Sequence, residues 1–354
     1  MQPVPDVIAW RALLRLAAGV PVPALPPGAE RLLSGAAAPL SALGRLAAPL
    51  ASGLAAAGLL DGLAPDVRAT LLARRDDAIR ADLAARRFVD QTVLAGWPRD
   101  IPVALVKGAA LNGTAYGDAE PRYARDLDLV VRPADLAPAL AHLRARGGRP
   151  LDVPRPASPE HALAFEGPLP QQVDLHAGFV DARLFRVRDV AVWARTAPWH
   201  DGAATPARRL APADALAHLA VHALTHARVG ARALVDAHRV ITRGPLDWAS
   251  LPSVAGDWQA RTPLYALLAA AREVLDAPVP ASALEALAPA RWRRRLAAVL
   301  LRPGAPDAEG APPALVRRVL AIGLLDDPGP ALTALPAQVA RSLRAARVGR
   351  GLAG

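Results

Sequence analysis

Residues 103–131, VALVKGAALNGTAYGDAEPRYARDLDLVV, carry residue types that the rest of the chain scarcely uses. Lys107 is the single lysine among 42 Lys and Arg side chains in 354 residues, and Asn112 is the single asparagine. An ammonium is a compact charge on a flexible stem and a guanidinium is a planar fork, so a chain that otherwise writes arginine has kept a differently shaped cation here. Ile101–Val106 is a short apolar run with β-branched residues, which reads as a buried strand ending at Lys107-Gly108. Ala109–Tyr116 then offers helix formers, broken at Gly113 and closed by Gly117. A strand that turns through glycine into a helix directs backbone N–H groups at the turn, where phosphate oxygens can bind beside Lys107. Taken alone, such a turn is common to α/β proteins.

A polar loop, Asp118–Arg125, leads into a second strand over Asp126–Val131. Residues i and i+2 of a strand share a face, so Asp126 and Asp128 project together while Leu127 and Leu129 pack the other way. Adjacent carboxylates repel each other unless a cation sits between them, and hard oxygen ligands suit Mg²⁺ or Mn²⁺. A bare DLD triplet is equally a strand end with two solvated aspartates. Pro133–Gly147 has the pattern of an amphipathic helix, with Leu136, Leu140 and Leu143 on its apolar side. A loop then runs to a third strand, Gln171–His176, in which Asp174 shares a face with Gln172 and His176. If this strand neighbours the Asp126 strand, Asp174 is a third carboxylate for the same metal site.

The flanks read as helices. A helix over Asp6–Ala18 and a proline-rich connector, Val20–Pro27, precede small-residue helical segments to about Leu63. A longer helix starts at Pro65-Asp66, with Leu71, Ile79, Leu83, Phe88 and Val93 as its buried stripe. From about Pro206 the chain turns helical again, and Ala211–His226 places His218, His222 and His226 on one face. Two histidines four apart can bind zinc, but no HExxH completes such a site, so they are read as packing against the core. Thr262–Gly354 alternates alanine-leucine helices with breaks at Arg302–Pro313 and Asp326–Pro330. The expected organisation is therefore a helical region over 1–95, a core over 96–205 and a helical domain over 206–354.

Apolar residues make up 53% of the chain but aromatics only 4%, which favours alanine-leucine helices. Cysteine is absent, so disulfides, thiolate metal sites and a cysteine nucleophile are excluded. The first residues lack a basic start followed by an unbroken apolar core, and the apolar region Leu32–Leu63 is broken by Pro39, Arg45 and Pro49. A cytoplasmic protein with no membrane partner is expected. The net charge is +10, of which residues 291–354 hold +7 through eleven arginines against four carboxylates. Such a tail attracts nucleic acid or an acidic partner, or is a solvated helical face; nucleic acid is the less favoured partner.

Taken in order, Val106-Lys107-Gly108, Arg122 ahead of Asp126–Val131, Val173-Asp174-Leu175-His176 and Leu246-Asp247-Trp248 resemble the bacterial uncharacterised nucleotidyltransferase family. That family is a branch of the DNA polymerase β-like nucleotidyltransferase superfamily, and the resemblance spans roughly Val103–Trp248. It implies an α+β fold, a small mixed β-sheet core flanked by N- and C-terminal helical domains. It also implies transfer of a nucleoside monophosphate from an NTP to a hydroxyl acceptor, a small molecule, peptide or protein. Asp126, Asp128 and Asp174 would be both catalytic and metal-binding, with two divalent cations stabilising the attacking and leaving oxygens. Lys107, Gly108, Asn112 and Arg122 form the candidate nucleotide-binding set, with Arg122 facing charge on the leaving pyrophosphate. Ala109 stands where the superfamily has serine, Ala177 where the family has an aromatic, and the gap from Gly108 to Asp126 exceeds the compact pattern. Two other readings use the same residues: a phosphotransferase, and a binding protein that holds nucleic acid or a partner through its basic C-terminal region.

Overall fold

The computed structural model describes residues 5–34, 43–124, 126–151, 160–166, 171–182, 185–199, 206–225, 229–300, 321–329 and 331–333. Among the described residues the first helices are α1 (Pro5–Ala18), α2 (Ala29–Ser34), α3 (Ala47–Ala56) and α4 (Pro65–Phe88). Strand β1 (Val103–Val106), helix α5 (Lys107–Asn112), strand β2 (Asp126–Val131) and helix α6 (Leu136–Ala145) follow. Strands β3 (Arg149–Pro150), β4 (Glu160–Phe165) and β5 (Gln171–Ala177) come next, then α7 (Asp189–Arg195), β6 (Ala197–Pro198) and β7 (Ala207–Arg209). The described helices that remain are α8 (Pro212–Thr225), α9 (Ala231–Arg243), α10 (Leu251–Asp257), α11 (Arg261–Leu275), α12 (Ala281–Leu287) and α13 (Arg291–Leu300). None of the described helices is long and apolar enough to cross a membrane.

The architecture is α+β. Among the described residues seven strands form one mixed sheet in the order β3-β4-β5-β2-β1-β7-β6, with β2/β5 and β1/β7 parallel and the other pairs antiparallel. Strand alternation divides the sheet's side chains between two cores. Val103, Leu105, Leu127, Leu129, Val173 and Leu175 face one side, where Ala139 and Leu143 of α6 and Val89, Val93 and Trp97 cover them. Ala104, Val106 and Val130 face the other side and join a larger core built from α1, α3, α8, α9 and α11. The helical regions before and after the sheet thus share one apolar interior. Burial of such faces, at about 25 cal/mol per Å² of apolar surface, is the dominant favourable term of folding.

Several elements depart from the sequence expectations for identifiable reasons. The loop expected before Gln171 contains β3 and β4, whose alanines and charges hide the strand pattern. The chain expected to turn helical near Pro206 first contributes β7, a strand of three residues recruited by parallel pairing with β1 and too short to show alternation. The helix expected over Ala109–Tyr116 begins at Lys107 and stops at Asn112. Beyond it, the N–H groups of Thr114, Ala115 and Tyr116 all turn back to the Leu111 carbonyl. In α4 the buried positions are Val67, Leu71, Ala78 and Asp82, whereas Leu83 is 59% exposed. Spacings of 4, 7 and 4 track one helix face, and Leu83 lies outside that stripe although it is apolar. The acid at position 82 belongs inside because Asn112 Nδ2 donates to it at 2.7 Å and Arg86 pairs with it at 2.8 Å.

Candidate active site

The site is made by strand register. In the parallel pair β2/β5, Asp126 lies opposite Gln172, Asp128 opposite Asp174 and Val130 opposite His176. Since Leu127, Leu129, Val173 and Leu175 fill the core on the far side, the three aspartates share the opposite face with His176. Asp128 and Asp174 are each only 5% exposed, while Asp126 stands open at the end of the strand.

On the other edge of β2, antiparallel β1 sets Val106 opposite Asp128. The next residue, Lys107, adopts a left-handed backbone with φ of 56°, a conformation that costs a non-glycine residue roughly 1 kcal/mol or more and that clusters at functional sites. From there its Nζ reaches Asp128 Oδ1 at 2.6 Å, and His176 Nε2 lies 3.0 Å from the same oxygen. Burial pushes the Asp128 carboxyl up, but the His176 hydrogen bond and the Lys107 charge outweigh it and hold the group well below the usual carboxylate range. Asp126 moves the other way: the surrounding protein and then the charges of Asp128 and Asp174 raise it, against the pull of Lys107. The three acids therefore feel one another as a cluster.

Gly108 is required by close approach. A Cβ there would lie 2.7 Å from both Arg122 Nη1 and the Ala124 Cβ, so the guanidinium rests on the glycine of the turn. Arg122 is 6% exposed, and its Nε donates to Asp236 on α9 at 3.0 Å. Burial lowers its tendency to stay protonated, but Asp236 together with Tyr116, Asp126 and Asp128 outweighs burial and raises it. Tyr116 Oη donates to the same carboxylate at 2.6 Å, and burial with Asp236 pushes that phenol well up.

Asn112, the chain's single asparagine, is 2% exposed and wholly committed. Its Nδ2 donates to Asp82 and to the Arg122 carbonyl at 2.9 Å, while its Oδ1 accepts the Arg122 N–H at 2.9 Å. These bonds fix the backbone that carries Arg122. The residues that sequence reasoning left without a role are His176, Asp236 and Tyr116. His176 was visible as the i+2 neighbour of Asp174; the signal for Asp236 was an acid set among Leu234, Val235 and Ala237 on a buried helix face.

The Leu246-Asp247-Trp248 segment is a turn into α10. Asp247 Oδ1 accepts the Ala249 N–H at 3.0 Å, its carbonyl accepts Ser250 Oγ at 2.8 Å, and Trp248 packs on the larger core. His226 and the arginines from Arg302 onward lie outside the described residues; Arg291, Arg294 and Arg295 are exposed on α13.

Three carboxylates on adjoining positions of two paired strands fit a hard divalent cation in donor chemistry. Among the described residues, no group of three or more His, Cys, Asp or Glu side chains stands ready-assembled as a metal cage. The carboxylate oxygens are instead hydrogen-bonded within the protein: Lys107 and His176 take Asp128 Oδ1, and Gln172 Nε2 donates to Asp174 Oδ1 at 2.9 Å. An ion bound here would compete with those donors for the same oxygens. A small cavity of about 30 Å³ adjoins Lys107, lined also by Thr114, Arg209 and His218 between apolar walls.

His218 on α8 is held down to about 3, first by burial and then by the Lys107 charge, and His238 on α9 to about 4, by burial and Arg239. Both stay neutral in the fold, whereas the unfolded chain protonates them below about pH 6.5. The unfolded state then binds more protons, so stability falls as pH drops from about 6.5 towards 4, with a slope of up to about 1.4 kcal/mol per pH unit for each histidine. Urea unfolding should therefore show a smaller loss of stability between pH 7 and 5 for His218→Gln than for the native chain. An equal loss in both would mean that His218 does not carry the effect.

Comparison with known proteins gives one match. The model of the family described as uncharacterised nucleotidyltransferase matches residues 36–276, which include β1 to β7, all three aspartates, Lys107 and Asp236. No curated protein and no solved structure matches significantly. The matched region covers more than half of the chain and contains the whole carboxylate face, so the chain belongs to the uncharacterised nucleotidyltransferase family.

Proposed function

We propose that the protein is a divalent-metal-dependent enzyme that transfers a nucleoside monophosphate from an NTP to a hydroxyl acceptor. The observation that carries this reading is the β2/β5 register, which sets Asp174 opposite Asp128 with Asp126 two residues away, beside a cation at 2.6 Å. In the reaction the acceptor oxygen bonds to the α-phosphorus, the bond from that phosphorus to the α–β bridging oxygen breaks, and pyrophosphate leaves. The hydroxyl proton passes to Asp174. Mg²⁺ or Mn²⁺ held by Asp126, Asp128 and Asp174 would supply charge neutralisation and a more acidic acceptor hydroxyl. Lys107 moves between Asp128 and the phosphates as a mobile point charge.

The test is label transfer. With Mg²⁺ or Mn²⁺ and a cell extract as the source of acceptors, label from the α-phosphate of an NTP should appear on an acceptor, with release of pyrophosphate. Label arriving from the γ-phosphate instead would assign a phosphotransferase. Transfer of neither label, across all four NTPs, would refute the proposal.

A further inference from the structure

Two arginines outside the aspartate face, Arg232 and Arg45, have no role in the account above. Arg232 lies on the first turn of α9, one helical turn before Asp236, and is half-buried. Asp236 is already engaged by Arg122 at 3.0 Å and by Tyr116 at 2.6 Å. The third cation, Arg45, belongs to the short 3-10 turn Gly44–Leu46, and its carbonyl accepts the Tyr123 N–H at 3.1 Å, next in sequence to Arg122. Three separate segments thus bring arginines together around Asp236 and Asp126.

Among the described residues Arg232 makes no ion pair and no side-chain hydrogen bond. Burial, then the charges of Arg122 and Arg45, push it down to about 10, and only Asp236 and Asp126 pull the other way. A half-buried guanidinium among like charges is an unfavourable arrangement for the free chain. It becomes favourable when an anion with several oxygens enters, because planar forks bind phosphate oxygens in pairs. A carboxylate ligand would meet Asp126 and Asp236 close by with a single charge to set against them, whereas a polyphosphate carries more charge and can also share a divalent cation with Asp126.

We infer that Arg232, together with Arg122 and Arg45, forms a seat for the pyrophosphate portion of a nucleoside triphosphate beside Asp126. The inference rests on the nucleotidyl-transfer reading for its choice of ligand, but the seat itself is tested with inorganic pyrophosphate. Titration calorimetry of the full chain with pyrophosphate and Mg²⁺ should show binding, weakened about tenfold or more in Arg232→Gln and partly restored in Arg232→Lys. The ligand-free Arg232→Gln protein should melt no lower than the native chain, since the variant removes an uncompensated cation; a merely structural arginine would lower the melting temperature. Independently of any variant, pyrophosphate should protect Arg232 of the native chain from modification by phenylglyoxal, read by peptide mass spectrometry. No pyrophosphate binding by the native chain, affinity of Arg232→Gln within twofold of it, or unprotected Arg232 would each overturn the inference. Arg232-dependent pyrophosphate binding without transfer of an α-label would leave the seat standing and count against the proposed reaction.

Discussion

Asp128→Asn should abolish most transfer of the α-label, by roughly 10² to 10³-fold, the cost of removing one preorganised electrostatic partner from a reacting centre. Asparagine keeps the shape of the side chain but carries no charge. It therefore leaves Lys107 without its 2.6 Å counter-ion. Breaking a buried pair typically costs about 3–5 kcal/mol, and the low end applies here because the Lys107 side chain retains 20% exposure and can swing towards solvent. The pH dependence separates this cost from a general packing defect. Asp128 is held below its unfolded value of about 3.9, so its contribution to stability is present above that pH and is lost as pH falls through the lower folded value. The deficit of Asp128→Asn relative to the native chain should thus be full at pH 6 and shrink below pH 4. A variant that transfers label at the native rate would remove Asp128 from the chemistry, whatever its stability.

The carboxylate face was legible in the sequence because period-2 alternation is a rigid rule. Asp126 and Asp128 had to share a face, and Asp174 had to share one with His176. Only pairing and register were lacking, and these depend on contacts between segments far apart in the chain. The same limit explains Asn112. Its rarity singled it out, but rarity could not show an amide committed to Asp82 and the Arg122 backbone. Leu83 and Asp82 show the weakness of reading burial from residue type: the apolar side chain is exposed, and the acid is inside with two partners. Strands β3, β4 and β7 escaped notice because two or three residues, or a run such as Glu160–Phe165 with alanine at alternate positions, give no periodic signal strong enough to read.

The second large effect belongs to Asp236, which no site motif contains. Its carboxylate is 1% exposed and accepts from Tyr116 and from Arg122, the residue whose guanidinium rests on Gly108. It is thus the charge by which α9 holds the loop before β2 against the Lys107 turn. Asp236→Ala strips the counter-ion from a buried arginine and the acceptor from a buried phenol, so urea unfolding should show a loss of about 3–5 kcal/mol. Asp236→Asn should lose less, because an amide oxygen still accepts the Tyr116 hydrogen bond. The double variant Arg122→Met/Asp236→Leu removes both charges and should recover much of the stability lost by Asp236→Ala, since well-packed apolar pairs replace buried ion pairs at little cost. It should not recover transfer, because the guanidinium over Gly108 is gone. That separation of stability from activity is what a purely structural pair would not give; a double variant that regained both would reduce Arg122 to a brace. If Asp236→Ala came within about 1 kcal/mol of the native chain, in the range of an exposed pair, α9 would be held by its apolar face alone.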